Sequence, residues 1–170
     1  MKNDFEKIGK NNIKKELALK EKYNLIFLGR LLEEKEPFRL INVFKIVTNQ
    51  IDSIQLHIVG DGPLYNNLSS ATKSLNVRYW GEVSDLLLIG KLLYSSDLMV
   101  MPSSIGLSIV HSFCYECPVV TQEATGNEIH GPEIEYLINN ENGFLTRYGY
   151  DEEMASKIIE YLLSDDLIKV

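Results

Sequence analysis

The sequence predicts an α/β fold: a Rossmann-like, doubly wound and mostly parallel six-stranded sheet with helices on both faces. Three observations lead there. Six short β-type runs recur along the 170 residues, most of them apolar throughout rather than alternating, as expected of strands buried on both faces. Stretches with helical periodicity separate them. Pro37 and Pro63 stand just where a first helical turn accepts a proline.

Residues 1–22 are rich in Lys and Asn, with Ile13, Leu17 and Leu19 as helical anchors, and read as a linker or leading helix before a domain spanning 23–170. The predicted strands are 24–28, 55–60, 76–80, 97–101, 118–121 and 143–146. Leu40, Val43, Phe44 and Val47 mark the helix after Pro37, and Leu64, Leu68 and Ala71 the helix after Pro63. Leu87, Leu88 and the turn at Lys91 and Leu92 mark a third, and residues 151–163 a closing helix. Strand and helix in alternation imply right-handed parallel crossovers.

With 45% apolar residues the chain can bury one sizeable core, so a single domain is expected. Seventeen Lys and Arg against 24 Asp and Glu leave a net charge of -7, which excludes a broad positive field for nucleic acid or an anionic membrane. Cys114 and Cys117 stand in an apolar run without a second Cys or His pair at metal-ligand spacing, and read as reduced core thiols rather than a redox or metal site. The longest apolar stretch, 86–101, is interrupted by Gly90, Lys91, Ser95, Ser96 and Asp97, so no direct membrane insertion is expected. The first residues include Asp4 and Glu6 and lack the apolar segment of a secretory signal, and the expectation is a cytoplasmic protein.

In a doubly wound sheet, ligands bind beyond the carboxyl ends of the strands where the strand order reverses, normally between the first and fourth strands. That rule selects loops 29–35 and 102–108 and makes them face one crevice. Arg30 and Lys35, beginning beside Gly29, offer a forked guanidinium and an ammonium, which suit the spread charge of a diphosphate. Read alone they are a solvated pair beside Glu33 and Glu34; the convergent second loop favours the anion. There Ser103, Ser104 and Gly106 permit close approach, and the free N–H groups around Ile105, Gly106, Leu107 and Ser108 open a helix toward the same anion. The turn Gly60-Asp61-Gly62-Pro63 lacks the third glycine of a dinucleotide fingerprint and reads as a plain strand-to-helix turn. His57 and His130 have no carboxylate or cysteine spacing that would give either a ligand role.

Fragments in order along the chain carry a resemblance. They are Phe27-Leu28-Gly29-Arg30 with Lys35, Ile58-Val59-Gly60-Asp61-Gly62-Pro63-Leu64, Trp80-Gly81-Glu82-Val83, Ser96-Asp97, Met101-Pro102-Ser103, Pro118-Val119-Val120, Gly131-Pro132-Glu133 and Glu141-Asn142-Gly143-Phe144. Together they resemble the donor domain, the C-terminal half, of the group-1, family-four glycosyltransferases of the GT-B fold. The resemblance implies that Arg30 and Lys35 bind the donor diphosphate and stabilise the departing nucleotide without a metal ion or other cofactor. It implies that Gly81 and Val83 offer backbone groups to the base, though a plain turn serves equally, and that Glu133 lies near the diphosphate or donor sugar, where a first-turn Glu could also simply meet a helix dipole.

The family's donor loop usually carries one Glu for the sugar hydroxyls and, seven intervening residues later, a second for the ribose. Here the first falls on or near Ser103 and the second on His111, whose neutral imidazole can donate and accept hydrogen bonds, or can equally be a buried helix residue. Glu116 stands where relatives commonly have Gly and is expected on the exposed helix end.

The resemblance implies transfer of a sugar, with retention, from a nucleoside diphosphate sugar to a carbohydrate or lipid-linked acceptor held by an N-terminal domain outside this chain. That domain would also bring the enzyme peripherally to the inner face of a membrane. Alone, this chain is expected to bind donor without completing the reaction. Two alternatives are a free-standing nucleotide-sugar-binding module and a nicotinamide-dependent oxidoreductase domain; the latter needs a glycine fingerprint after strand one, where Arg30 and Lys35 stand instead.

Overall fold

A computed structural model describes residues 2–125 and 130–164. Six strands form one sheet: β1 (Tyr23–Leu28), β2 (Ile54–Val59), β3 (Val77–Gly81), β4 (Leu98–Met101), β5 (Val119–Gln122) and β6 (Gly143–Thr146). Their order is β3-β2-β1-β4-β5-β6 and every neighbouring pair is parallel. Each apolar run in the sequence falls on one of these strands, and β1, β2, β4 and β5 are buried almost throughout.

The helices are α1 (Lys2–Ile8), α2 (Lys10–Glu16), α3 (Pro37–Thr48), α4 (Tyr65–Ala71), α5 (Leu86–Ser95), α6 (Ser108–Cys114) and α7 (Asp151–Leu163). The crossover through α3 runs from β1 to β2 and that through α6 from β4 to β5, in opposite directions across the sheet. Right-handed connections therefore place the two helices on opposite faces. α7 packs back against α3, whose Leu40, Val43, Phe44 and Val47 are buried, and α5 packs with α1, α2 and α6. Pro37 opens α3 at its first turn, whereas Pro63 precedes α4 in a turn.

Residues 2–16, within the segment expected as a linker or single leading helix, form two helices that belong to the core. Phe5, Ile13, Leu17 and Leu19 are buried, and Phe5 lies between the rings of Tyr94 and Tyr115. Lys10 Nζ donates to Ser96 O at 2.9 Å and to Asp97 Oδ1 at 3.0 Å, while Asp97 Oδ2 accepts from Asn24 N at 2.8 Å. The leader is thereby fastened to the amino-terminal edge of the sheet.

Of the two cysteines only Cys117 is a core thiol, with burial pushing its pKa up to about 12. Cys114 is exposed, because α6 turns that position outward. Just beyond it, Glu116 has φ 57°, the left-handed region. Its N–H reaches Phe113 O and that of Cys117 reaches Ser112 O at 3.1 Å, the paired bonds of a Schellman helix end in which glycine normally fills this site. The position relatives give to glycine thus has a backbone reason.

Deep in the sheet, His57 is fully buried. Trp80 Nε1 donates to its Nδ1 at 3.3 Å, so the proton sits on Nε2 and is donated to Asn24 Oδ1 at 3.0 Å. Burial first, then the positive charges of Arg78 and Lys14, lower its pKa from 6.5 to about 4. A histidine without a catalytic reading in the sequence is therefore a satisfied, neutral core group.

Two outcomes follow. Glu116→Gly removes the cost of holding a side chain in left-handed backbone, and because the Lys2–Glu116 ion pair is substantially exposed it offsets little of the gain. Denaturant melts should show a gain of about 1 kcal/mol; a lower midpoint would mean that the ion pair outweighs the strain. For His57, the unfolded imidazole takes up a proton below about 6.5 while the folded one resists until about 4. Its contribution to stability is present above pH 6.5 and is lost as pH falls toward 4. Urea melts should show wild type losing roughly 3 kcal/mol more than His57→Gln across that window, 1.36 kcal/mol per pKa unit being the conversion.

Candidate functional site

All carboxyl-terminal strand loops emerge on one edge of the sheet, and the loop after β1 is laid directly on the turn after β2. Gly29 N donates to Val59 O at 3.0 Å and Leu31 N to Asp61 O at 2.9 Å, while Leu64 N returns to Leu31 O at 3.2 Å. A Cβ on Gly60, whose φ is +138°, would run into Gly29 O, and one on Gly62 would meet Leu31 O at 2.5 Å. Both positions must be glycine for the two backbones to lie this close. The Gly60-Asp61-Gly62 turn, a plain turn in the sequence reading, is the bed on which Arg30 is mounted.

Arg30 is exposed and lines a cavity of about 530 Å³ with Leu28, Gly29, Val59, Gly60, Asp61, Gly62, Glu82 and Val83. Arg30, the carboxylates of Asp61 and Glu82, and the apolar Leu28, Val59 and Val83 give the cavity a charged and an apolar lining. No described residue forms an ion pair with Arg30.

Lys35 ends a short 3-10 turn, Glu33–Lys35, and its Nζ donates to Ser104 O at 2.9 Å, tying the loop after β1 to the loop after β4. The second loop is pinned from beneath. Thr121 Oγ1 donates to Ser103 O at 3.2 Å. Ile105 N donates to His130 Nδ1 at 3.0 Å, so the His130 proton lies on Nε2, which donates to Gln122 O at 2.8 Å. Gly131 N donates to Ile105 O at 2.8 Å, and the Glu133 carboxylate lies over Gly106 and Gly131.

The two loops selected from the sequence therefore meet, but their residues divide. Gly29, Arg30 and Val83 line the cavity, whereas Gly81 is not among its lining residues and its carbonyl accepts from Gly60 N at 2.8 Å; Lys35 and Ser104 bridge the loops. Ser103 and Ile105 are buried, the Ser103 hydroxyl having no described partner, whereas Leu107 is 67% exposed and Gly106 and Ser108 are half-buried. α6 starts at Ser108. His111 is exposed and lines a separate groove of about 190 Å³ with Leu86, Ile89, Val110, Cys114 and Tyr115. Of the two readings left open for it, core packing is not what the fold shows. Among the described residues no group of three or more His, Cys, Asp or Glu could hold a metal ion.

Sequence reasoning missed three residues here. Asp61 and Glu82 sit inside quoted fragments yet carried no role, because a carboxylate in a turn gives no sign of facing a cavity. His130 was dismissed, although it joins the second loop to β5; no spacing rule signals a partner 25 residues away.

The comparisons decide the family. Residues 22–165 match the profile of the glycosyl transferases group 1. The chain belongs to that family. Among curated relatives, the capsular polysaccharide biosynthesis glycosyltransferase CapM of Staphylococcus aureus is 26% identical over 97% of this chain and 44% of its own length. An uncharacterised glycosyltransferase of Methanocaldococcus jannaschii is 28% identical over 76% of this chain and 34% of its own. The chain thus spans less than half the length of these relatives. Among solved structures, the C-terminal domain of the group 1 family protein LpcC from Francisella tularensis superposes with a TM-score of 0.76 at 18% identity, covering 92% of this chain and 83% of that one. Anabaena HepE, solved with UDP and glucose, gives 0.72 at 21% identity over 92% of this chain and 42% of its own. The six-stranded parallel sheet of this chain matches GT-B glycosyltransferase domains.

Proposed function

We propose that this chain is the donor-binding half of a group 1 glycosyltransferase that takes a nucleoside diphosphate sugar and passes the sugar, with retention, to a carbohydrate or lipid-linked acceptor. The single observation that carries the reading is the junction at the strand-order reversal. There an exposed Arg30 guanidinium faces the 530 Å³ cavity while Lys35, bound to Ser104 O, holds the second loop beside it. Two cations on the first loop, the second of them bonded to the other loop, suit a diphosphate, and the apolar lining with Val83 suits a base. HepE and TarM, which share the fold, were solved with UDP. The capsule-related name of CapM supports a polysaccharide acceptor.

In this reading Arg30 and Lys35 act as the chemistry proceeds. As the bond from the anomeric carbon to the phosphate oxygen lengthens, negative charge gathers on the departing diphosphate, and fixed cations lower its energy without solvent having to reorganise. They take the part that a metal ion plays elsewhere, so none is required. Glu133, set over Gly106 and Gly131, faces the donor-sugar side, with Ser103, Ser104, Ile105, Leu107 and Ser108 forming the wall behind it. The rest of the full-length enzyme supplies the acceptor and the far wall of the crevice, leaving this chain alone a binder rather than a catalyst.

UDP and GDP titrated by calorimetry test the reading directly. Binding should persist in EDTA, and Arg30→Ala and Lys35→Ala should each weaken it by about 1.5 to 3 kcal/mol while the fold remains intact. Loss of binding on chelation, or variants that melt early yet bind normally, would remove the assignment. His111 is proposed to meet the ribose on the family resemblance alone, since in the structure it opens on the groove beside α5 and not on the 530 Å³ cavity. His111→Ala should then lose the preference of wild type for UDP over its 2′-deoxy form, and an unchanged preference would assign the ribose to Asp61 or Glu82 instead.

A further inference from the structure

The two anion-facing loops converge on a group outside the cavity. Arg39, on the first turn of α3, has a side chain only 18% exposed. Its Nε donates to Asp151 Oδ1 at 2.8 Å. Its Nη1 meets three acceptors: Glu36 Oε2, Pro102 O at 3.0 Å and Gln122 Oε1 at 2.8 Å. Glu36 directly follows Lys35, and Pro102 directly precedes Ser103. One guanidinium therefore holds the base of both loops, together with the ends of β5 and α7.

Glu36 is under strain at this point. It has φ 45° and ψ 46°, left-handed backbone that a side chain disfavours, and it stands before Pro37, where helical backbone is disfavoured too. Strain of this kind persists where surrounding contacts over-determine it. The contact here is the Arg39 guanidinium. The chain direction through Glu36 sets where Lys35 emerges, so the ion pair and the placing of the Lys35 ammonium on Ser104 O are parts of one arrangement.

Stability alone is a weak reason for such a group. A mostly buried guanidinium is costly to desolvate, and Nη2 here is buried without a hydrogen-bond partner among the described residues, although the group lies 5.5 Å from the Tyr148 ring centroid. Its chemistry fits positioning better than cohesion. We infer that Arg39, acting through Glu36 and Pro102, is the positioning residue of the donor site, fixing the separation of the Lys35 loop and the Ser103 loop to the span of a diphosphate. This rests on the donor-binding reading.

Calorimetric titration of UDP into the whole chain, paired with thermal melts, tests it. Arg39→Met should weaken UDP affinity by tenfold or more, Glu36→Gln by several-fold, and Arg39→Lys, which keeps the charge but not the fork, should fall between wild type and Arg39→Met. Ile13→Ala, in the distant core of α2, should lower the melting temperature and leave affinity unmoved, separating lost stability from lost positioning. Arg39→Met that stays folded and binds UDP as tightly as wild type overturns the positioning role alone. If wild type binds neither UDP nor GDP, the donor-site reading falls, and this role with it.

Discussion

The arrangement depends on β1 pairing in parallel on both edges, with β2 along its whole length and with β4 through Leu25 and Ile26. Leu25, Ile26 and Phe27 are buried completely or nearly so, and exchanging any of them for a polar residue would strip both neighbouring strands of their packing. Because all strands run the same way, all their following loops leave from one edge. The sheet is extended from β1 in both directions, so the helix after β1 goes to one face and the helix after β4 to the other. The crevice between the two loops is the geometric residue of that divergence, and Lys35 on Ser104 O spans it.

Polar groups at the two ends of the sheet are treated in opposite ways. Toward the amino-terminal end, Asp97 is met by Lys10, Lys14 and the Asn24 N–H, and His57 has a partner on each ring nitrogen. Those groups have their bonding capacity used within the chain and can do little but hold it together. At the carboxyl-terminal edge Arg30 is solvent-exposed, next to carboxylates of Asp61 and Glu82 that line the same cavity. The contrast between satisfied polar groups at one end and an exposed guanidinium in a cavity at the other supports the functional reading independently of family likeness.

The strands were readable because a strand buried on both faces must be apolar at every position, a local property of runs such as 24–28 and 55–60. The helices were readable through burial at Leu40, Val43, Phe44 and Val47. The meeting of the two loops was readable through the strand-order rule, and Lys35 on Ser104 O joins them. Which way a side chain points was not. Ser103 and Ile105 are buried and His111 opens on the α5 side, since the loop backbone is held by Thr121 and His130, far off in sequence. The core role of the leader escaped for a related reason: Phe5 and Ile13 are sparse apolar points in a polar segment, and only the tertiary surface of α5 makes them anchors.

A chain with net charge -7 that is to hold a diphosphate cannot rely on its overall field and must sort charge locally. From Arg30 to Arg39 the sequence carries three cations, Arg30, Lys35 and Arg39, and three anions, Glu33, Glu34 and Glu36, a balance that promises nothing. The fold breaks the balance by direction. Arg39 and Glu36 consume each other beneath the loops, Glu33 and Glu34 are left in solvent on the 3-10 turn, and Arg30 and Lys35 remain for the crevice. Solvent screens the outer carboxylates over roughly 8 Å at physiological salt, whereas in the proposed reading a diphosphate seated between the loops lies inside that distance from both cations. That Arg30 and Lys35 are left at this edge is thus a product of backbone geometry, the left-handed turn at Glu36 above all, and not of residue counts.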